Sequence, residues 1–162
     1  TPDFKKINLL KIIEETVHLK KDELSAKEIK ISMEAGVREP FVNGDFEQLK
    51  QVFFNVIGNA IDAISRNSEI QILTGREDRF VSVKIIDHGS GINKEDLSKV
   101  FEPYHTTKKS GHGIGMMIVH RIMRDHGGDI GIDSKPDAGT IVTLRFPRSS
   151  SRGKLLESSN TA

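Results

Sequence analysis

DFEQLKQVFFNVIGNAIDAISR, residues 45–66, is the stretch that decides the fold. Wound at about 100° per residue, it places Phe46, Leu49, Phe53, Val56, Ile57, Ala60 and Ile64 on one broad arc. That arc predicts a helix with a core face. Asp45 stands at its N-cap, and Gln48 sits where a capping box puts its reciprocal partner. Gln48, Asn55, Asn59, Asp62 and Arg66 form a narrow stripe on the other side. Asn55, Asn59 and Asp62 follow i, i+4, i+7 and point the same way. A solvated polar face has the same spacing. Surface helices, however, favour Lys, Glu and Arg, and two asparagines lower helix propensity. An Asn oxygen is a neutral hard ligand, suited to Mg²⁺ already charge-balanced by phosphates. Gly58 flanks the stripe and lets a ligand approach the backbone.

Downstream, residues 70–74 and 80–86 alternate around a polar turn and read as a β-hairpin. Asp87-His88-Gly89-Ser90-Gly91-Ile92 follows at once. A carboxylate at the end of a buried strand needs a partner. It could accept a proton from the N6 amine of adenine, and it would repel the O6 of guanine. Gly89 and Gly91 allow a sharp turn against a flat base; a plain turn after a strand is the alternative. A dinucleotide fingerprint fails, because Lys94 stands where its third glycine belongs. Asn93 caps a short helix through Val100. Residues 101–113 are polar and poor in structure signals. Gly111-His112-Gly113-Ile114-Gly115 then opens a helix that runs to His126 and stops at Gly127 and Gly128. Outward-facing N–H groups at such a start make a phosphate seat, with Thr106, Thr107, Lys108 and Lys109 just upstream. A loop with a glycine hinge reads the same way. No P-loop is present, nor the signatures of eukaryotic-type protein kinases. Strands are expected at 130–133 and 140–146.

Upstream, residues 8–24 read as one amphipathic helix, and residues 29–33 and 41–42 as strands. The chain has 162 residues, 36% apolar and 29% charged, with net charge +1 and no cysteine. These values fit one soluble domain. They exclude a disulfide framework and a thiolate metal site, and give no electrostatic case for nucleic acid or an acidic membrane. No apolar run approaches the roughly 18–20 residues of a membrane span. The first residue is Thr1, so a piece of a longer protein is expected.

Four segments stand in order: Asn55-x₃-Asn59-Ala60, Asp87-x-Gly89-x-Gly91, Phe101-Glu102-Pro103-Tyr104-His105-Thr106-Thr107-Lys108 and Gly111-x-Gly113-x-Gly115. Gly139-Thr140 precedes the last strand. In this order the set resembles the catalytic ATP-binding domain of a bacterial sensor histidine kinase. That domain belongs to the wider GHKL superfamily with gyrase, the heat-shock chaperone ATPases and the mismatch-repair ATPases. The resemblance covers about residues 5–147, and the Phe-Glu-Pro-x-x-Thr-Thr-Lys stretch points to the kinases within that group.

The resemblance implies an α+β two-layer sandwich of Bergerat type. Its mixed, mostly antiparallel five-stranded sheet would carry about three main helices on one face, with an ATP lid at residues 101–113. Residues 1–7 would end a linker from an upstream domain, 8–147 would form the catalytic domain, and 148–162 would be a disordered tail. The implied cofactors are ATP and Mg²⁺. Asn59 would ligate the metal, and Asn55 would help hold it or the phosphates. Asp87 would read adenine, with Gly89, Gly91, Ile92 and Thr140 lining the base pocket. Lys108 would reach the phosphates, and Gly111, His112, Gly113, Ile114, Gly115 and Met116 would seat them. Phe101 and Thr107 would border the nucleotide; the part of Asp62 is open. Asn55 and Lys108 are the expected catalytic residues.

No His-Glu/Asp-x-x-Arg/Thr-type phosphoacceptor segment occurs. His18 lacks an acidic neighbour on its C-terminal side and reads as a surface residue. His105, His112, His120 and His126 do not read as a zinc cluster. The expected partners are therefore the protein's own dimerisation and phosphoacceptor domain and a response regulator receiver domain. A cytoplasmic location and a full-length homodimer are also implied. The competing readings are a gyrase-type ATP hydrolase or clamp and a non-catalytic nucleotide-binding module. The hydrolase class carries a glutamate base where this chain has Asn55, and an amide cannot take a proton from water.

Overall fold

The computed structural model describes residues 1–102 and 115–149. Alternation builds the centre. In β4 (Ser68–Glu77), Ile70, Ile72 and Thr74 are buried; in β5 (Phe80–Asp87), Val81, Val83, Ile85 and Asp87; in β7 (Thr140–Pro147), Thr140, Val142, Leu144 and Phe146. The antiparallel register sets Ile72 against Ile85 and Val83 against Leu144. With β2 (Ile29–Ala35) and β6 (Asp129–Ser134), the sheet order is β2-β4-β5-β7-β6. Only β2–β4 is parallel. A parallel pair needs a crossover, and this one contains α3 (Phe46–Ala63), the asparagine helix. The fold is the α+β class expected.

Leu49, Val52, Phe53, Val56, Ile57 and Ile61 of α3 are almost fully buried, and Phe53 stacks on Phe146 with ring centroids 6.1 Å apart. α3 packs against β5 and also against α1 (Leu9–Leu19) and α5 (Gly115–Asp125). Those helices contribute Leu9, Ile12, Ile13, Val119, Ile122 and Met123 to the core. α4 (Lys94–Ser98) is short and capped by Asn93. Among the described residues, no helix is long and apolar enough to cross a membrane.

The structure corrects four local expectations. The helix over residues 8–24 breaks after Leu19, and α2 (Lys21–Ala26) follows. At the break Lys20 is 8% exposed, and its ammonium lies 3.8 Å from the Phe54 ring centroid. Phe46 is exposed, because the first residue of α3 lies beyond the core's edge, while Val52 and Ile61 complete the buried arc. Phe4–Asn8 forms β1, paired antiparallel with β3 (Phe41–Asp45), in a stretch without strand alternation. The capping box is only half made. Asp45 Oδ1 accepts the Gln48 N–H at 3.0 Å, but the Asp45 N–H donates to His126 Nε2, also at 3.0 Å.

His126 thus ties remote elements together. Its Nε2 accepts, so the ring proton is on Nδ1, which donates to the Ile122 carbonyl at 2.8 Å. The buried ring stacks on Phe4 at 4.6 Å. Gly44 fits closely beside it: a Cβ there would come within 2.9 Å of the imidazole and 2.7 Å of Leu49, and those side chains would have to shift. His126→Ala leaves the Asp45 N–H without its acceptor. The expected loss of stability is about 1–3 kcal/mol, read as a lower urea midpoint at unchanged slope. An unmoved midpoint would show that the bond contributes nothing.

The expected sites at Thr107, Lys108, Gly111, His112, Gly113 and Ile114 lie outside the described residues, as do residues 150–162. Just before that tail, Arg148 bridges to Val42 and the Ser149 N–H donates to the Phe41 carbonyl at 3.4 Å.

Candidate nucleotide-binding site

Two groups of residues meet along α3. At its C-terminal end lies the segment from Asp87 to Ile92. The Ser90 N–H donates to the Ala63 carbonyl at 2.9 Å, and the Asp137 N–H donates to the Ser90 carbonyl at 2.7 Å. The segment is therefore clamped between α3 and the β6–β7 turn. Both glycines are needed for this. A Cβ at Gly89 would collide with the Ala63 carbonyl, and Gly91 has φ +71 with the Lys135 carbonyl against it.

Asp87 is 5% exposed and stands opposite Thr140 in the β5–β7 ladder. Its Oδ1 accepts the Gly89 N–H at 2.9 Å. Burial pushes its carboxyl above the ordinary value. The Gly89 N–H, the charge of His88 and the Thr140 N–H oppose that rise. Burial of an acid at the end of a strand makes Asp87 a candidate for a functional group. Thr140 is 8% exposed, and its hydroxyl lies 2.7 Å from the Ser134 hydroxyl, which also accepts the Ile92 N–H at 2.9 Å. Asp87, Gly89, Gly91, Ile92 and Thr140 are thus brought into one cluster.

Nearer the middle of α3, the half-buried Asn55 donates from Nδ2 to the Gly115 carbonyl at 3.4 Å. This joins the asparagine stripe to the start of α5. Asn59 is half-buried one turn on, and Asp62 is exposed. From Asn55 to Asp62 the helix rises about 10 Å, so the stripe runs from the start of α5 towards the Asp87 cluster. Met116 is half-buried against the core rather than turned wholly to the site. The Phe101 ring centroid lies 4.9 Å from that of His120, a residue of α5. Asn55 and Asn59 offer neutral amide oxygens, a donor set that fits Mg²⁺ carried in with phosphates.

Sequence reasoning missed Ser134 and the Ala63 carbonyl. Ser134 carries no local signal, because its partners lie across the β6–β7 turn and in the Gly91 segment.

Residues 44–150 match the model of the histidine kinase-, DNA gyrase B- and HSP90-like ATPases. The chain is 34% identical over 142 residues to sporulation kinase A of Bacillus subtilis (strain 168), covering 88% of this chain and 23% of that protein. It is 32% identical over 141 residues to the sensor histidine kinase ZraS of Escherichia coli (strain K12), covering 87% and 30%. It thus spans less than a third of the length of these curated relatives. Among solved structures, the catalytic domain of histidine kinase ThkA superposes with a TM-score of 0.82 at 30% identity, covering 90% of this chain and 96% of that one. ThkA in complex with the response regulator protein TrrA gives 0.78 at 28%, covering 90% and 42%.

Proposed function

Because the chain belongs to the histidine kinase-, DNA gyrase B- and HSP90-like ATPase family, we propose that it binds ATP with Mg²⁺ and donates the γ-phosphoryl group to a histidine outside it. That histidine would lie on the dimerisation and phosphoacceptor domain of the same sensor kinase, and a response regulator would then receive the phosphoryl group. Asp87 would read the base, with Gly89, Gly91, Ile92 and Thr140 around it. Asn59 would ligate the metal, and Asn55 would hold the metal or the phosphates at the start of α5. Lys108 and the N–H groups of Gly113 and Gly115 would take the phosphates. The segment ahead of Asn8 would lead from the upstream domain, the assembled protein would be a homodimer, and this part of it would be cytoplasmic.

The observation that carries the choice of reaction is Asn55. Its amide donates to the Gly115 carbonyl and cannot accept a proton. Hydrolysis needs a base for water, whereas transfer to an imidazole does not, since neutral histidine offers a lone pair near pH 7. Phosphoryl transfer of this kind depends on positioning and charge neutralisation; Mg²⁺ would supply the latter between the phosphates. The names of the relatives and the complex of ThkA with a response regulator support the same reading.

Incubated with γ-labelled ATP, the chain alone is expected to bind nucleotide, barely hydrolyse it and take no label. Supplied with the phosphoacceptor hairpin of its parent protein, it should label that hairpin on histidine, through an acid-labile, alkali-stable bond. Self-labelling, or brisk phosphate release, would overturn the assignment.

A further inference from the structure

The Ser134 hydroxyl makes three polar contacts. It accepts the Ile92 N–H at 2.9 Å, donates to the Gly139 carbonyl at 3.0 Å, and lies 2.7 Å from the Thr140 hydroxyl. A serine hydroxyl has one proton, and the Gly139 carbonyl can only accept. With that proton on Gly139, the contact to Thr140 must be one in which Thr140 donates. Thr140 is buried at 8% exposure and faces Asp87 across the β5–β7 ladder. With its proton turned to Ser134, its oxygen offers only lone pairs beside the carboxylate. The turn that sets this geometry is closely packed. Gly139 has φ +82, and a Cβ there would strike the Asp87 carbonyl.

We propose that Ser134 is a positioning residue for base selection. By drawing the Thr140 proton away from the pocket, it leaves that wall able only to accept hydrogen bonds. A purine with an amino group at position 6 meets a matched wall, while one with an oxo group meets lone pairs against lone pairs. The inference rests on the reading of Asp87 as the adenine contact.

ATP and ITP, which differ at position 6, are the probes. The unmodified chain should prefer ATP. In Ser134→Ala the Thr140 hydroxyl is free to rotate and donate to a 6-oxo group. The ratio of ITP to ATP dissociation constants should then fall on the order of 3- to 10-fold, the range of one neutral hydrogen bond. Ser134→Thr keeps the hydroxyl and should restore the ratio. A purely structural role would weaken both nucleotides alike and leave the ratio unmoved, which overturns the proposal. Thr140→Val is the second variant, and serves if Ser134→Ala does not fold. It removes the oriented oxygen itself and should lower the ratio too; an unchanged ratio there also overturns the proposal. Equal binding of ATP and ITP by the unmodified chain would instead overturn the Asp87 reading, and this inference with it.

Discussion

Asp87→Asn is expected to cost the chain most of its ATP affinity without weakening the fold. The carboxylate takes the Gly89 N–H on Oδ1 and is also held by the Thr140 N–H, and its remaining lone pairs can accept from a base amine. An amide in its place presents a donor or a misplaced acceptor, and a buried polar group left unmatched costs about 1–3 kcal/mol, or roughly 5- to 150-fold in affinity. Stability should move the other way. Burial raises the Asp87 carboxyl above its ordinary value, so its ionised form disfavours the folded state. That penalty is present at neutral pH and is relieved as pH falls through the raised value. The neutral amide does not carry it. Titration with ATP and GTP, beside a denaturant curve at pH 7, checks both halves. Equal binding of the two nucleotides by the unmodified chain would end the assignment. A mutant that loses affinity and stability together would mean that Asp87 holds the fold rather than the base.

Asn59→Ala should weaken ATP binding strongly in Mg²⁺ and little in chelator. Asn59 lies half-buried one turn beyond Asn55, on the stripe that faces the start of α5. Its amide oxygen suits an ion that is already charge-balanced by phosphates. Losing even a group that only orients a metal's ligands typically costs about 10- to 100-fold in metal affinity, so a lost ligand should cost at least as much. The informative quantity is the ratio of the two losses. If the mutant loses the same factor with Mg²⁺ and with chelator, Asn59 serves the nucleotide or the helix, and not the ion.

The parts of the fold that were legible are those whose signal is local. Ile70, Ile72, Val81, Val83 and Ile85 alternate because one face of the sheet is covered by helices. The arc from Leu49 to Ile64 has the helical period for the same reason. Asp87, Gly89 and Gly91 could be read as a cluster because they are consecutive on a strand end and the turn after it. What escaped depends on partners far along the chain. β1 is too short and too rich in lysine to alternate, and it exists because β3 pairs with it. The first helix ends at Lys20, whose ammonium lies over the ring of Phe54, a residue of α3. Gln48 has the spacing of a capping-box partner, but His126 reaches Asp45 from 81 positions away. No window of sequence contains such a competition.

Asp45 caps α3, takes the Asp3 N–H on its Oδ2 at 2.7 Å, and gives its own N–H to His126, against which Phe4 is stacked. The first strand, β1, and the helix that carries the asparagines are thus anchored on one residue. Coupling through such an anchor is reciprocal. A pull on β1 that changes nucleotide affinity by some factor requires that nucleotide change the attachment of β1 by the same factor. Under that condition the first strand would be a lever with two ends, work done at either being felt at the other.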